Sequence, residues 1–187
     1  GAAAGALMKA AAVSGAALGS ADNKAVRPPG AGSQAAFSNR CTACHLCVDR
    51  CPNQVLTPAI LEYGLGGIFQ PRADFSQGYC DYHCSICGSV CPSGAIQKLP
   101  LAEKQRVQMG MQLEARQCLI RTEGVECANC LLHCPTGAIT MEEKDGRKLP
   151  RVHHAKCIGC GSCTYHCPAQ PTAMQVIGTA EQKRISI

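Results

Sequence analysis

Sixteen of the 187 residues are cysteine, and they fall into four groups of four. The groups read Cys41-x2-Cys44-x2-Cys47-x3-Cys51-Pro52, Cys80-x3-Cys84-x2-Cys87-x3-Cys91-Pro92, Cys118-x8-Cys127-x2-Cys130-x3-Cys134-Pro135 and Cys157-x2-Cys160-x2-Cys163-x3-Cys167-Pro168. Their opening cysteines stand 39, 38 and 39 residues apart, so the chain is a fourfold repeat. A cubane needs a thiolate at each of four iron corners, and this run supplies three to one cluster and its last cysteine, before proline, to a neighbour. The spacing therefore predicts four [4Fe–4S] clusters in pairs, with all sixteen cysteines as ligands.

Two other uses of cysteine compete with this reading. Disulfide frameworks scatter partners along a chain, whereas cysteines three apart, taken in threes, converge on one small volume. Structural zinc takes Cys-x2-Cys pairs two and two, and triplets closed by Cys-Pro do not fit that plan. Composition points the same way. With no Trp, three Phe and four Tyr, an ordinary apolar core is thin, and cysteine at about 9% of the chain reaches the range where cysteine chemistry holds small folds together.

The formal charge of +5 would suit an anionic partner, but the expected cofactors reverse it. Sixteen thiolates around four oxidised cores of roughly +2 each bring the loaded chain to about −3. Lys98, Lys104, Arg106, Arg147, Lys148 and Arg151 then compensate cluster charge or dock partners. No basic stripe interleaved with aromatics is present, so nucleic acid is not an expected partner.

Short elements must position these groups. The four-residue offset between third and fourth cysteines suits a single helical turn presenting both sulfurs on one side, and the following proline ends it. Val107, Met109, Met111 and Leu113 alternate with Gln108, Gly110, Gln112 and Glu114, the period of a half-buried strand. Its expected partner is Ala95 to Leu99. Ala138 to Met141 is expected to return through Asp145-Gly146, a hairpin turn signal, into Leu149 to His154. A further strand is expected from Ala173 to Ile177.

His45, His83, His133 and His166 each sit beside a cysteine. They are expected to pack over clusters and hydrogen-bond backbone, because sixteen thiolates already satisfy four cubanes. Gly64, Gly66 and Gly67 lack the strand, spacing and later acid of a dinucleotide site and read as a loop wrapping a cluster or docking a partner. Residues 1–26 are Ala- and Gly-rich and read as an export signal or a membrane anchor. The sequence begins at Gly without an initiator Met, and upstream residues are expected.

From about Arg27 to Val176 the chain resembles the ferredoxin-type proteins of the MauM/NapG kind, accessory subunits of periplasmic nitrate reductase and related systems. The resemblance rests on Arg27-Pro28-Pro29-Gly30-Ala31, Gly64-Leu65-Gly66-Gly67, Gly78-Tyr79-Cys80-Asp81 and the widened Cys118-x8-Cys127 gap. It implies an α+β fold of two ferredoxin-like modules, the inner inserted in the outer: 27–79 and 155–187 as the outer halves, the latter with the C-terminal tail, and 80–154 as the inner module. It further implies that the first group shares ligands with the fourth, and the second with the third. The clusters would then take Cys41, Cys44, Cys47 and Cys167; Cys157, Cys160, Cys163 and Cys51; Cys80, Cys84, Cys87 and Cys134; and Cys118, Cys127, Cys130 and Cys91. Pro168 to Met174 departs from the Gly-Ala-Ile turn seen after the second and third groups.

The expected role is a relay of single electrons between redox proteins, with no catalytic residues of its own. The resemblance implies as partners a membrane quinol-oxidising or polyferredoxin subunit and a terminal reductase or oxidase, with possible membrane association. It also implies the periplasmic side of the cytoplasmic membrane, the alternative being the cytoplasm. An enzyme with an open iron would need a group of three cysteines, and none is short. A maturation factor for a partner metalloenzyme is the alternative function.

Overall fold

The computed structural model describes residues 25–113 and 117–186; the expected export or anchor segment lies almost wholly outside them. Among the described residues no helix is long and apolar enough to cross a membrane.

The first helix, α1 (Gln34–Arg40), is capped by Ser33, whose hydroxyl accepts the Ala36 N–H at 3.2 Å, and carries Arg40 in its last turn, as the helix dipole favours. It exists to bury Phe37, which is fully enclosed and packs edge-on to Tyr63 at 6.1 Å. Removing such a side chain from water is worth about 1.5–3 kcal/mol. The helix delivers Cys41 at its C-cap.

Each cysteine group then wraps one helical turn around its third cysteine: α2 (Leu46–Asp49), α3 (Ile86–Ser89), α6 (Asn129–Leu132) and α7 (Ser162–Tyr165). The first and fourth groups, with two-residue gaps, need left-handed backbone at matching places. Ala43 and Gly159 lie between first and second cysteines at φ 51° and 70°; His45 and Gly161 lie between second and third at 62° and 77°. Two further turns are α4 (Leu101–Lys104), entered through Pro100, and α5 (Leu119–Thr122). The latter fills the widened gap after Cys118, which is why that group needs eight residues.

Among the described residues the strands form three two-stranded antiparallel sheets. β1 (Leu56–Pro58) pairs β2 (Pro71–Ala73). β4 (Ile139–Lys144) and β5 (Arg147–Val152) form the expected hairpin, in register from Ile139↔Val152 to Lys144↔Arg147. Its turn holds Asp145 and Gly146 at φ 55° and 70°, as a two-residue hairpin requires. The strand β3 (Val107–Leu113) pairs β6 (Gln175–Arg184), from Gly110↔Gly178 to Leu113↔Gln175 with a bulge between Gln108 and Gly110. The expected partner, Ala95 to Leu99, is otherwise engaged: Gln97 N–H bonds the Gly30 carbonyl at 3.0 Å, and its own carbonyl lies against Gly88. Pro100 then turns the chain into α4. β3 is also buried on both faces instead of one, Gln108 and Gln112 included.

The nested arrangement is not what the contacts give. The first two cysteine groups fold together, as do the last two, so the modules are consecutive. The chain closes on itself instead through β6. Buried Arg27 donates to the carbonyls of Thr179 at 2.6 Å and Ala180 at 3.1 Å, Gln182 accepts the Gly30 N–H at 2.9 Å, and Ser33 bridges Glu181.

Candidate iron–sulfur site

The thiols gather in four sets. Cys47 feels Cys41, Cys91 and Cys44. Cys80, Cys84 and Cys87 gather with Cys51 around one cavity of about 450 Å³. Cys118, Cys127 and Cys130 gather with Cys167 around one of about 360 Å³. Cys157, Cys160 and Cys163 gather with Cys134 around one of about 340 Å³. Each space is lined by sulfur and almost wholly by apolar surface. Among the described residues no three His, Cys, Asp or Glu close in on a single ion, so the sulfurs stand around spaces and not on a point.

Each triplet thus has the last cysteine of another group beside it, and these neighbours differ from those the resemblance implies. Cys91, not Cys167, completes Cys41, Cys44 and Cys47; Cys51, not Cys134, completes Cys80, Cys84 and Cys87. Cys167, not Cys91, joins Cys118, Cys127 and Cys130, and Cys134, not Cys51, joins Cys157, Cys160 and Cys163. The reason lies in the strands: β1 and β2 keep the first group beside the second, while the β3–β6 pair brackets the third and fourth.

The sets neighbour one another in a row that departs from chain order. Cys87 bears on Cys47, joining the first two. Cys160 bears on Cys80, and the Cys80 N–H donates to the Cys160 carbonyl at 2.9 Å, joining the second to the fourth. Cys163 bears on Cys130, so the third set is terminal. Both ends carry exposed apolar side chains. Leu46, Ile60, Leu61, Leu65 and Phe69 lie on or near the first group, tied to it by the His45 ring nitrogen at 2.8 Å from the Phe69 carbonyl, and Val125 and Leu132 flank the third.

Electrostatics within the sets suit a cationic core. Burial, reinforced by the neighbouring thiols, pushes Cys47 up to about 12, Cys160 to about 12 and Cys130 to about 11; burial raises Cys87 and Cys163 further still. Such thiols become ligands only where metal charge replaces the proton. Two of the fourth-position cysteines behave in the opposite way. Burial would raise Cys91, but the Ile96 N–H, at 3.4 Å from its sulfur, and the Ser93 hydroxyl bring it below its ordinary value. Cys167 is likewise raised by burial and lowered further by the Thr172 hydroxyl and the N–H groups of Ala169, Ala173 and Met174. Convergent N–H donors of this kind are what cluster sulfurs require.

Gln108 and Gln112 escaped sequence reasoning because alternation assigned them to solvent. The Gln108 side-chain amide donates to the His154 and Cys157 carbonyls at 2.9 and 2.7 Å, fixing the entry to the fourth group, and the Gln112 backbone bonds the Cys157 sulfur. Of the four histidines, His45 and His166 hydrogen-bond backbone through their rings, as expected. His133 and His166 stack at 3.6 Å and 7°, and the His166 ring donates from Nδ1 to the Ser162 carbonyl at 2.9 Å. His83 stands edge-on to Tyr82 at 5.2 Å. Of the basic residues, Arg147 binds the carbonyls of Ile120 and Arg121, while Lys104 is buried at 3% exposure.

Triplets of thiols completed by a crossed fourth, inside a fold of one-turn helices and short hairpins, define a ferredoxin-type iron–sulfur protein. Comparison with known proteins agrees. Residues 40–95 and 125–170 match the 4Fe-4S dicluster domain, and these spans join the first group to the second and the third to the fourth. The chain is 32% identical over 164 residues to the ferredoxin-type protein NapG of Escherichia coli K12, covering 81% of this chain and 70% of that protein. It is 35% identical over 150 residues to the methylamine utilization ferredoxin-type protein MauM of Paracoccus denitrificans, covering 74% and 64%. The ferredoxin-type protein NapF of Escherichia coli K12 is 27% identical over 135 residues, covering 72% and 74%. The chain belongs to the NapG/MauM family of ferredoxin-type proteins, which carry [4Fe–4S] clusters and transfer electrons.

Proposed function

We propose that this chain is a four-cluster relay, and that electrons cross it in the spatial order of the cysteine sets, first, second, fourth, third, or the reverse. The observation that carries the reading is the row of neighbouring thiols that act on one another electrostatically, Cys47 with Cys87, Cys80 with Cys160, and Cys163 with Cys130, with the Cys80 N–H bonded to the Cys160 carbonyl between the second set and the fourth. Each bound cubane supplies one-electron chemistry. The protein's part is to hold neighbouring sets beside one another, burying thiols of the fourth set and bringing a thiol of the first to the surface. Cys44 is exposed, whereas Cys157 and Cys160 are buried. Four thiols in every set leave no iron open to a substrate, so any catalysis resides in a partner.

Exposed apolar side chains at both ends support docking by two different redox proteins. Family membership suggests a membrane quinol-oxidising or polyferredoxin subunit at one end and a terminal reductase or oxidase at the other, on the periplasmic side of the cytoplasmic membrane.

The test is to purify the chain without oxygen, count iron and acid-labile sulfide, and follow EPR through a reductive titration. The expected result is about sixteen of each per chain, with reduced-cubane signals that couple as neighbouring sites fill. A three-iron signal in material never exposed to air, or clusters that titrate without coupling, overturns the relay.

A further inference from the structure

Only two cationic side chains are buried among the described residues, Arg27 and Lys104. Arg27 donates from Nη1 and Nη2 to Gln34 and to the carbonyls of Gly32, Thr179 and Ala180. Lys104 is different. Its turn, α4, starts at Pro100 and ends by driving the side chain inward, where Nζ donates to the Asp81 carbonyl. The Asp81 carboxylate is turned away, accepting the His83 N–H at 2.8 Å, and among the described residues no Asp or Glu lies within ion-pair reach of Lys104.

A buried ammonium facing only a carbonyl is costly, by several kcal/mol, unless a negative charge lies beside it. The group beside it is Cys80, half-buried, whose sulfur lies 4.0 Å from the same Asp81 carbonyl oxygen and feels the Lys104 charge. Cys80 belongs with Cys51, Cys84 and Cys87. Four thiolates on an oxidised cubane leave about −2 there and, after one electron arrives, about −3. A fixed positive charge in a dry site favours the more negative of these states.

We propose that Lys104 is a potential-setting residue that makes the cluster of Cys51, Cys80, Cys84 and Cys87 the most easily reduced of the four. The electron comes from a neighbouring cluster, which is oxidised by one as this one is reduced, and no proton moves. Lys104 thereby makes an inner station, and not either end, the place where a single electron rests. This rests on the four-cluster relay reading.

The experiment compares wild type, Lys104→Met, Lys104→Gln and Lys104→Arg by anaerobic EPR-monitored titration with dithionite, each variant first checked for about sixteen irons. Cys51→Ser, which changes one ligand of that cluster alone, identifies its signal. In the wild type the signal that Cys51→Ser alters is expected to appear first. In Lys104→Met its reduction constant falls at least tenfold, about 59 mV for a one-electron couple, while Lys104→Arg stays within threefold of wild type. Lys104→Gln keeps a donor for the Asp81 carbonyl, so it tests the charge should Met fail to load. Overturning results are a different signal appearing first in the wild type, or a fully loaded neutral variant whose signal shifts by less than threefold. Failure of the relay reading shows separately, as a wild-type iron count short of four cubanes.

Discussion

Substituting Gly161 tests how the two modules are held in contact. This residue lies between Cys160 and Cys163 at φ 77°, and a Cβ there would stand 2.0 Å from Cδ1 of Phe75. Phe75 comes from the first module and is 8% exposed, so its ring is the wedge between the second and fourth cysteine sets. Left-handed backbone costs an L-residue roughly 1–2 kcal/mol. Expelling the ring forfeits packing of the kind lost in Phe→Ala, about 3–5 kcal/mol when complete. Gly161→Ala should therefore cost about 3 kcal/mol or more in the wild-type background, but only the backbone share, about 1–2 kcal/mol, beside Phe75→Ala. The interface must open before the inner clusters meet solvent, so the readout is the half-life of cluster absorbance in anaerobic urea with an iron chelator. Gly161→Ala is expected to shorten it roughly a hundredfold in wild type and roughly tenfold in Phe75→Ala. Equal factors in both backgrounds would refute the wedge.

Ligand exchange is testable on intact chains: Cys167→Ser should change the same EPR component as Cys127→Ser and a different one from Cys44→Ser, and the nested pairing requires the opposite. Anaerobic iron chelation should abolish far-UV ellipticity together with the visible absorbance, because the cores pack against the cysteines; retained ellipticity would contradict this. The chelated chain, its fold lost, meets iron with thiols exposed at their ordinary value of about 8.5, and these must lose protons to bind. Reconstitution at limiting iron and sulfide should therefore rise between pH 7 and 9, and a flat profile would count against it. Arg27→Met strands the carbonyls of Thr179 and Ala180, with an expected loss of about 2–4 kcal/mol in urea midpoint analysis; a change under 0.5 kcal/mol would deny Arg27 its closing role.

The cysteine spacing carried most of the site, because a thiolate triplet with Cys-Pro leaves little freedom for anything but a crossed pair of cubanes. Which groups cross is a different kind of fact. It depends on whether β3 pairs backward to Ala95 or forward to Gln175, and nothing near Val107 encodes that choice. The Gln97–Gly30 bond and Pro100 settle it, and both act at a distance. The hairpin at Asp145-Gly146 was legible since its turn chemistry is local. Gln108 and Gln112 were not, because a two-residue period marks them as polar and solvent-facing, whereas their amide and backbone groups serve a cysteine loop some 45–50 residues further along.

The return of β6 to Arg27, Gly30 and Ser33 also orders events during synthesis. Residues 175–184 leave the ribosome after all four cysteine groups, yet they satisfy the segment just ahead of the first group. A nascent chain with its first two groups already exposed still has Arg27 without the Thr179 and Ala180 carbonyls. The last strand thus works as a latch, and an unlatched chain presents unfinished polar groups to whatever inspects folding before the protein is released for use.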